Sequence, residues 1–414
     1  MMTSALALCL ACGAVTSDAD KLAALEEIVR RQDERISVLE KELRKREAAE
    51  VTSPPNVEVE HPAVTSTTHS PREVEQLPRL AVSGDLRLRQ EFNWGYGGMQ
   101  DRTRNSLRAR LAARLQLTEI FALGARMATG NSDDPNSTDV TIGNFADDFE
   151  VSLDQAYALA KLGDLTLTGG KFANPFIHTD LTWDGDVNPQ GIALAYRAEL
   201  SPGILIDARA LHFAIEENVA GSGSAMNGAQ LGVTVGDKSE WQLSLAGSYY
   251  NYQLESLGTA DAGDFRTNHL ASDGRYVSDF EISEMLGSVT YGGMGSKWPV
   301  RGTFNYVKNL GANNDEDTGW LAEVAIGTTG QPGAWELWYG YSSVDADAVF
   351  AAFAQDNIPF ATNYLLHASG ATFSLGASTR IEALLYHYRA KRELPGVEAA
   401  DWQNRARINL VFGF

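Results

Sequence analysis

The chain has 414 residues, 44% of them hydrophobic and 21% charged, and its formal net charge is −20 at pH 7. With 34 Lys and Arg against 54 Asp and Glu, this balance argues against a nucleic-acid partner, whose phosphates require a basic surface. A mean hydropathy of −0.22 excludes a bundle of transmembrane helices. Both cysteines, Cys9 and Cys12, lie near the beginning of the sequence, so disulfide and cysteine metal sites are excluded from the remainder.

Residues 1–19 form a predicted signal peptide. Residues 4–15 are apolar and small, too few to cross a bilayer, and suited to cleavage by a signal peptidase. Two other interpretations stay open: a helix buried in the protein core, and attachment of a lipid to Cys12.

Residues 20–47 form a predicted coiled coil. Apolar residues recur there at alternating spacings of three and four, between charged flanks. The seam consists of Leu22, Leu25, Val29, Gln32, Ile36, Leu39 and Leu43. Because so short a helix is marginal in water, we expect it to associate with partner chains. A single solvated helix or spacer is the alternative.

Residues 48–79 form a predicted linker rich in Pro, Thr and Ser. No apolar period survives there, and prolines recur at positions 54, 55, 62, 71 and 78. Such a composition favours an extended connection.

Residues 80–414 are dominated by a period of two, the signature of β-strands with one apolar and one polar face. In residues 80–92, for example, Leu86 and Leu88 share one face, whereas Arg87 and Arg89 share the other. About sixteen such segments follow one another, separated by turn-rich runs such as residues 130–138 and 311–319. The pattern predicts an antiparallel all-β domain.

Three features favour a transmembrane barrel over a soluble β-sandwich. Charged residues such as Arg108, Arg110 and Arg114 lie on the polar faces, where a water-filled lumen hydrates them and a sandwich core could not. The sequence finishes on a strand at Phe414, and a sheet in a membrane must close to satisfy its edges. Aromatic residues recur near strand ends, as interfacial girdles require. The examples are Tyr249, Tyr250, Tyr252, Trp298, Trp335, Trp338, Tyr339, Tyr386 and Tyr388.

Several stretches resemble the bacterial outer-membrane porins, and in particular the putative porin family of Gram-negative bacteria. They are GDLRLRQEF (84–92), RNSLRARL (104–111), RMATGNSDDP (126–135), LDQAYALAKL (153–162) and GGKFANPFIHTDLTWDGDVNPQGIAL (169–194). The last is the most distinctive.

The resemblance implies a passive channel in the outer membrane, usually trimeric, in contact with lipid and lipopolysaccharide. It also implies that Leu410, Phe412 and Phe414 form the signal read by the barrel assembly machinery. The coiled coil would then lie in the periplasm, where it could contact the cell wall.

A row of arginines is predicted to line the pore, because closure brings the last strand beside the first. We call these eight residues the arginine row: Arg87, Arg89, Arg108, Arg110, Arg114, Arg126, Arg405 and Arg407. Since guanidinium groups keep their charge, such a wall would attract anions. The alternative places some of them at the rims, paired with Asp85, Glu91 or lipopolysaccharide phosphates.

Residues 173–189 are the predicted pore loop, too polar for a membrane strand and too long for a turn. His178, Asp180, Asp184 and Asp186 would form an acidic constriction facing the arginine row. An ordinary surface loop is the alternative.

No catalytic motif, cofactor site or metal site is predicted. The acidic loops at residues 131–139 and 313–317 leave surface calcium as an alternative to simple hydration. The alternative to a channel is a structural anchor, in which the barrel is plugged and the coiled coil binds the cell wall or a partner.

Overall fold

The computed structural model describes residues 79–95, 101–131, 133–143, 145–146, 148–219, 221–257, 260, 267–393 and 401–414. The predicted signal peptide, coiled coil and linker lie outside these residues, apart from Arg79, with which the first strand begins. Within the described ranges, no helix combines the length and apolar character that crossing a membrane requires.

The described residues form strands almost throughout. The strands are β1 Arg79–Trp94, β2 Arg102–Gln116, β3 Phe121–Thr129, β4 Val140–Thr141, β5 Val151–Leu162, β6 Leu165–Lys171, β7 Gln190–Ser201, β8 Ile204–Glu216, β9 Ser224–Gly236, β10 Trp241–Gln253, β11 Phe280–Tyr291, β12 Val300–Asn309, β13 Thr318–Gly327, β14 Trp335–Val344, β15 Tyr364–Ser374, β16 Thr379–Ala390 and β17 Gln403–Gly413. A single 3-10 turn, Ala351–Phe353, lies between β14 and β15.

The sheet closes into a barrel of sixteen antiparallel strands, as predicted. Each long strand pairs with its neighbours in sequence, and β1 pairs with both β2 and β17. The two-residue β4 adds a short pairing with β2 beside β3. At the seam, Gly84 and Phe414 exchange backbone hydrogen bonds of 3.1 Å between N and O. Closure therefore leaves no unpaired edge at β1 or β17.

The two faces of the barrel follow the alternation of the sequence. Outward-facing apolar side chains are exposed, for instance Leu153 at 60%, Leu231 at 69% and Met285 at 61%. Charged and polar side chains face inward, where Glu284 is only 3% exposed. An outer surface of this kind suits lipid, because hydrocarbon accepts apolar side chains and rejects charges.

The expected aromatic girdles are present, but fewer residues belong to them than predicted. Outward-facing pairs such as Trp241–Tyr291, with ring centroids 4.4 Å apart, and Trp335–Phe373, at 4.7 Å, lie beside the short turns. The prediction was wrong for five residues, which lie on the inward faces of their strands. They are Tyr250, Tyr252, Trp338, Tyr386 and Tyr388. Side chains at strand ends point alternately inward and outward, as they do at strand centres. The position of an aromatic residue near a strand end therefore does not show whether it faces the lipid or the lumen.

Short turns connect the strands at one end of the barrel and longer loops at the other. Two of the long loops pack against inward-facing side chains. We call them the first inner loop (172–189) and the second inner loop (345–363). At the base of the first, Gly170 and Gly191 pair across β6 and β7 with φ angles of 121° and 153°, where a side chain would collide with the neighbouring strand.

The two inner loops share an apolar core inside the barrel. Trp183 is fully buried, and its ring stacks on Phe353 with centroids 5.8 Å apart and planes 7° from parallel. Tyr250 and Tyr252 of β10 contact the same indole. This packing fixes both loops relative to the wall, because burying one aromatic side chain stabilises the folded state by about 2–3 kcal/mol.

Candidate pore constriction

The arginine row lies on adjacent strands at one side of the barrel. Cross-strand partners include Glu91 with Arg407, Arg87 with Arg108, and Asp85 with Arg110. These positions alternate with the exposed Leu88, so they share the inward face. Closure of β17 onto β1 therefore brings the two ends of the sequence into one charged surface.

Seven of the eight arginines form ion pairs with carboxylates. The pairs are Arg87 and Arg89 with Asp139, Arg108 and Arg110 with Asp85, Arg110 with Asp186, Arg126 with Asp154, and Arg405 and Arg407 with Glu91. The eighth, Arg114, is exposed near the turn end of β2. Five carboxylates thus serve seven guanidinium groups, and the row keeps an excess of positive charge.

The most enclosed of these pairs is Arg407 with Glu91. Arg407 Nε lies 2.8 Å from Glu91 Oε2, and both side chains are only 3% exposed. Arg405 Nε approaches the same oxygen at 3.7 Å, and Asn93 donates to Glu91 Oε1 at 3.0 Å. Because a buried ion is costly to leave unpaired, removing any one charged member of this cluster should destabilise the protein.

A bulge brings a carboxylate to Arg126. The register between β3 and β5 shifts between Arg126 and Met127, and Asp154 is the extra residue on β5. Arg126 Nη2 then lies 2.6 Å from Asp154 Oδ2. Strict alternation would have turned one of Asp154 and Gln155 outward.

Asp139, in the long connection between β3 and β5, covers part of the arginine row. Its carboxylate accepts hydrogen bonds from Arg87 Nη2 at 2.7 Å and from Arg89 Nη1 at 2.5 Å. Burial opposes ionisation of Asp139, but the two arginines outweigh it and hold its pKa below the usual value. In the other acidic loop, Asp317 Oδ2 accepts from Lys308 Nζ at 2.7 Å. Each acidic loop therefore has one carboxylate that contacts cationic side chains of the protein.

The first inner loop places one of its predicted aspartates against the arginine row. Asp186 Oδ1 lies 3.1 Å from Arg110 Nη1, and Thr138 donates to Asp186 Oδ2 at 3.1 Å. On the far side of the lumen, Thr179 Oγ1 lies 2.6 Å from Asn305 Oδ1 of β12, and Thr182 donates to Glu284 of β11 at 2.6 Å. The loop thus contacts both sides of the barrel interior.

Asp180 and Asp184 contact the second inner loop instead of the arginines. Asn357 donates to Asp180 Oδ2 at 2.8 Å, and the Asp184 amide donates to the Phe353 carbonyl at 2.8 Å. The Asp356 amide lies 3.4 Å from Asp184 Oδ2. Burial and the neighbouring Asp356 raise the pKa of both aspartates, most strongly that of Asp184.

His178, the fourth predicted residue of the loop, lies beside the lumen wall formed by β8–β13. It lines a cavity there together with Thr179, Asp207 and Glu323. The structure therefore separates the four predicted loop residues: Asp186 meets the arginine row, while the other three do not contact it within ion-pairing distance.

The second inner loop was not predicted, although it supplies much of the constriction. Arg405 Nη1 donates to the Asn357 carbonyl at 2.8 Å, and Arg407 Nη1 donates to Asn357 Oδ1 at 2.9 Å. Residues 348–354 read AVFAAFA, an apolar run between two strands where a hydrated loop would be polar. That run was the available signal, because apolar residues at a loop position indicate burial.

Glu284 organises the wall opposite the arginine row. It accepts hydrogen bonds from Thr182, Asn305, Ser248 and Tyr250, at 2.6, 3.0, 2.9 and 2.8 Å respectively. Four neutral donors can hold a buried carboxylate without a cation. This side of the interior therefore differs in chemistry from the arginine side.

Two adjoining cavities remain between the inner loops and the β8–β16 wall. The strand cavity, about 270 Å³, is bounded by residues 177–179 and inward-facing residues of β8–β13. The two-loop cavity, about 350 Å³, is bounded by Asp180, Asn357 and inward-facing residues of β12–β16. Thr179, Thr303 and Glu323 line both, so the cavities meet at these residues.

The predicted assembly signal lies on the last strand. Phe412 and Phe414 are exposed on the outward face, at 40% and 71%, and Leu410 shares that face by alternation. Whether these residues are read during assembly stays a prediction.

A family model described as putative porin matches residues 88–256. Among solved structures, OprB of Pseudomonas putida is 13% identical with a TM-score of 0.55, covering 81% of this chain and 94% of its own. OmpF of Salmonella typhi, in complex with daunomycin, is 11% identical with a TM-score of 0.51, covering 81% of this chain and 97% of its own. No curated protein matches the chain.

The closed sixteen-strand barrel is thus a fold shared with bacterial outer-membrane porins. The predicted resemblance to the putative porin family is confirmed over residues 88–256. This stretch includes both the strands β2 and β3 of the arginine row and the whole first inner loop.

Proposed function

We propose that the protein is an outer-membrane porin, a passive diffusion channel for small hydrophilic solutes and ions. The observation that carries the proposal is a closed barrel with exposed apolar residues outside, ionised residues inside, and unfilled space between the inner loops and the wall. A barrel of sixteen strands is wide enough for an aqueous passage.

The constriction lies where the first inner loop crosses the lumen. The arginine row with its positive excess forms one side, and Asp180, Asp184 and Glu323 lie toward the other. Such a separation of charge creates a transverse field that orients dipolar solutes without binding them tightly.

The resemblance to porins supports the remaining partners that we propose. The outward apolar surface contacts outer-membrane lipid and lipopolysaccharide, and the barrel assembles as a homotrimer. The assembly machinery reads Leu410, Phe412 and Phe414, and the coiled coil lies in the periplasm near the cell wall.

Planar-bilayer recording of the purified protein tests the channel itself. We expect discrete conductance steps that scale with salt concentration. Liposomes containing the protein should also swell in small sugars at a rate that decreases with solute size. A membrane that stays sealed with correctly folded protein would overturn the proposal.

Substitution of the arginine row tests whether it borders the passage. Arg108→Gln combined with Arg110→Gln removes two positive charges and leaves Asp85 and Asp186 without these partners. If the row borders the passage, ion selectivity shifts toward cations. Unchanged selectivity would place the row outside the conducting path.

The structural anchor with a plugged barrel remains the second candidate. The apolar core around Trp183 and Phe353, which occupies part of the lumen, favours it. Liposome swelling separates the two functions, because a plugged anchor admits no sugar.

A further inference from the structure

We propose that the passage favours cations and that Glu323 of β13 is the specificity-determining residue. The inference rests on the proposed channel function and names its class of solute: small monovalent cations, organic ammonium ions included. It replaces the expectation that the arginine row makes the channel attract anions.

Glu323 lies where the strand cavity and the two-loop cavity meet. Only Thr179 and Thr303 share that position among the described residues that line the two cavities. Thr303 pairs with Glu323 across β12 and β13, and Thr179 belongs to the first inner loop. A solute that moves from one cavity to the other therefore passes the Glu323 carboxylate and two hydroxyl groups.

The two-loop cavity carries acidic groups without a basic one. Asp180 and Glu323 are its carboxylates, and none of its lining residues is Lys, Arg or His. Among the described residues, neither carboxylate has an ion-pairing partner within 4.0 Å. In a narrow space of low dielectric, unpaired carboxylates lower the energy of a cation and raise that of an anion.

The arginine row does not offset these carboxylates by contact. None of its eight residues lines either cavity, and seven of them are held by carboxylates. Arg407 and Arg89 keep only 3% and 7% of their side chains exposed. These two are covered, whereas Arg110 keeps 21% of its side chain exposed at the other side of the constriction. An ion inside the two-loop cavity therefore meets Glu323 and no guanidinium group of the row.

The strand cavity is more balanced. Arg301 and His178 line it beside Glu323 and Asp207, and Asp207 Oδ1 accepts from Arg209 at 2.7 Å. Its cationic groups therefore offset part of the negative charge on this side of Glu323. The selective step falls in the two-loop cavity, where no such group lies.

The rest of the two-loop cavity suits an organic ammonium ion. Trp338 and Tyr364 contribute aromatic surface, and Ser342 contributes a hydroxyl group. Aromatic rings attract cations, including alkylammonium ions that carry little hydration to lose. A volume of about 350 Å³ leaves room for such an ion with accompanying water.

Reversal potentials of the wild type, Glu323→Gln and Glu240→Gln test the proposal. Each is recorded in planar bilayers under a KCl gradient, and then under a choline chloride gradient. Gln keeps the size of Glu323 and removes its charge. Glu240, exposed in the turn between β9 and β10, is the matched control for loss of one carboxylate.

We expect the wild type and Glu240→Gln to prefer potassium and choline over chloride. In Glu323→Gln the cation-to-anion permeability ratio should fall about threefold, because one of the two carboxylates of the two-loop cavity is lost. Wild-type selectivity for chloride, or equal ratios in Glu323→Gln and the wild type, would overturn the inference.

Failure of the channel function gives a different result, since no variant then conducts at all. If Glu323→Gln does not fold, Asp180→Asn takes its place, because Asn keeps an acceptor for the Asn357 amide. An unchanged ratio in folded, conducting Asp180→Asn would then overturn the inference.

Discussion

The inward-facing side chains on the two sides of the barrel are covered in different ways. On the arginine side, charged residues of adjacent strands pair with one another and with Asp139 and Asp186 of the covering loops. On the opposite side, the loops cover the wall with Trp183, Phe353 and other apolar groups, and leave cavities next to Glu323. The same strand alternation therefore permits a sealed, ionic surface and an open, partly apolar one.

The comparison shows that charges facing a lumen do not all act on its contents. An arginine whose partners surround it contributes mainly to the local structure, because its field is opposed within a few ångströms. An unpaired carboxylate beside open space acts on a passing ion. The substitutions below test this contrast, from the largest expected effect to the smallest.

Trp183→Ala should have the largest effect, since it removes the ring that joins both inner loops to β10. We expect the free energy of unfolding in detergent to fall by about 4 kcal/mol. Trp335→Ala, at an exposed position on the outside, should cost far less under the same urea titration. Single-channel conductance should rise as the loops loosen, and equal losses for both variants would contradict the packing described for the inner loops.

Arg407→Gln tests the ionic side. Glu91 would remain buried with Arg104 at 3.5 Å and Arg405 at 3.7 Å as its remaining cationic partners. We expect a loss of about 3 kcal/mol, at the lower end of the usual cost of breaking a buried pair, because Arg104 and Arg405 remain beside Glu91. Combining Arg407→Gln with Glu91→Gln should recover part of the loss in a double-mutant cycle. Additive losses would mean that the two residues do not interact.

Asp184→Asn tests the contact between the inner loops through its pH dependence. Because the pKa of Asp184 is raised in the folded protein, that state binds more protons than the unfolded chain between about pH 4 and the raised pKa. The contribution of Asp184 to the free energy of unfolding is therefore greatest at low pH. It falls as the pH rises through the pKa that Asp184 has in the folded protein.

The Asn variant should flatten this decline and be more stable than the wild type near neutral pH. Asp180 and Asp356, which face Asp184, stay in place, so part of the dependence should remain. Urea titrations at several pH values measure the slope, with Glu240→Gln as the control. An unchanged slope would show that Asp184 does not carry the effect.

Arg197→Gln should have the smallest effect. Arg197 Nε lies 3.7 Å from Asp207 Oδ2, and its side chain is 65% exposed. Exposed pairs contribute at most about 1 kcal/mol, so stability should change by less than that. Asp207 also retains Arg209 at 2.7 Å. A loss as large as that of Arg407→Gln would remove the distinction between enclosed and exposed pairs.

Much of the architecture was predictable from local pattern. Alternation in segments such as residues 80–92 and 106–117 predicted the strands, and the charges on their polar faces excluded a sandwich core. The first inner loop was predictable from its length and polarity. Trp183 was harder to interpret, because an aromatic residue in a loop indicates burial without naming the surface that covers it.

Other features depended on contacts between distant residues. The second inner loop breaks the strand pattern without a motif of its own, and its role follows from the meeting of Phe353 with Trp183, 170 positions earlier in the numbering. The bulge that turns Asp154 toward Arg126 leaves only the adjacent polar residues Asp154 and Gln155 as a sign in the alternation, and that sign does not say which of the two is the extra residue.

The sequence by itself determined that the strands have one apolar and one charged face and must close, because an alternating period of two and the energetics of buried charge act locally. Only the tertiary structure decided which charges are enclosed and which border open space. Arg407 and Glu323 both occupy inward-facing positions of their strands. Arg407 is surrounded by partners, whereas Glu323 lines a cavity. That difference arises from how the inner loops pack across the lumen, which depends on contacts that no local pattern encodes.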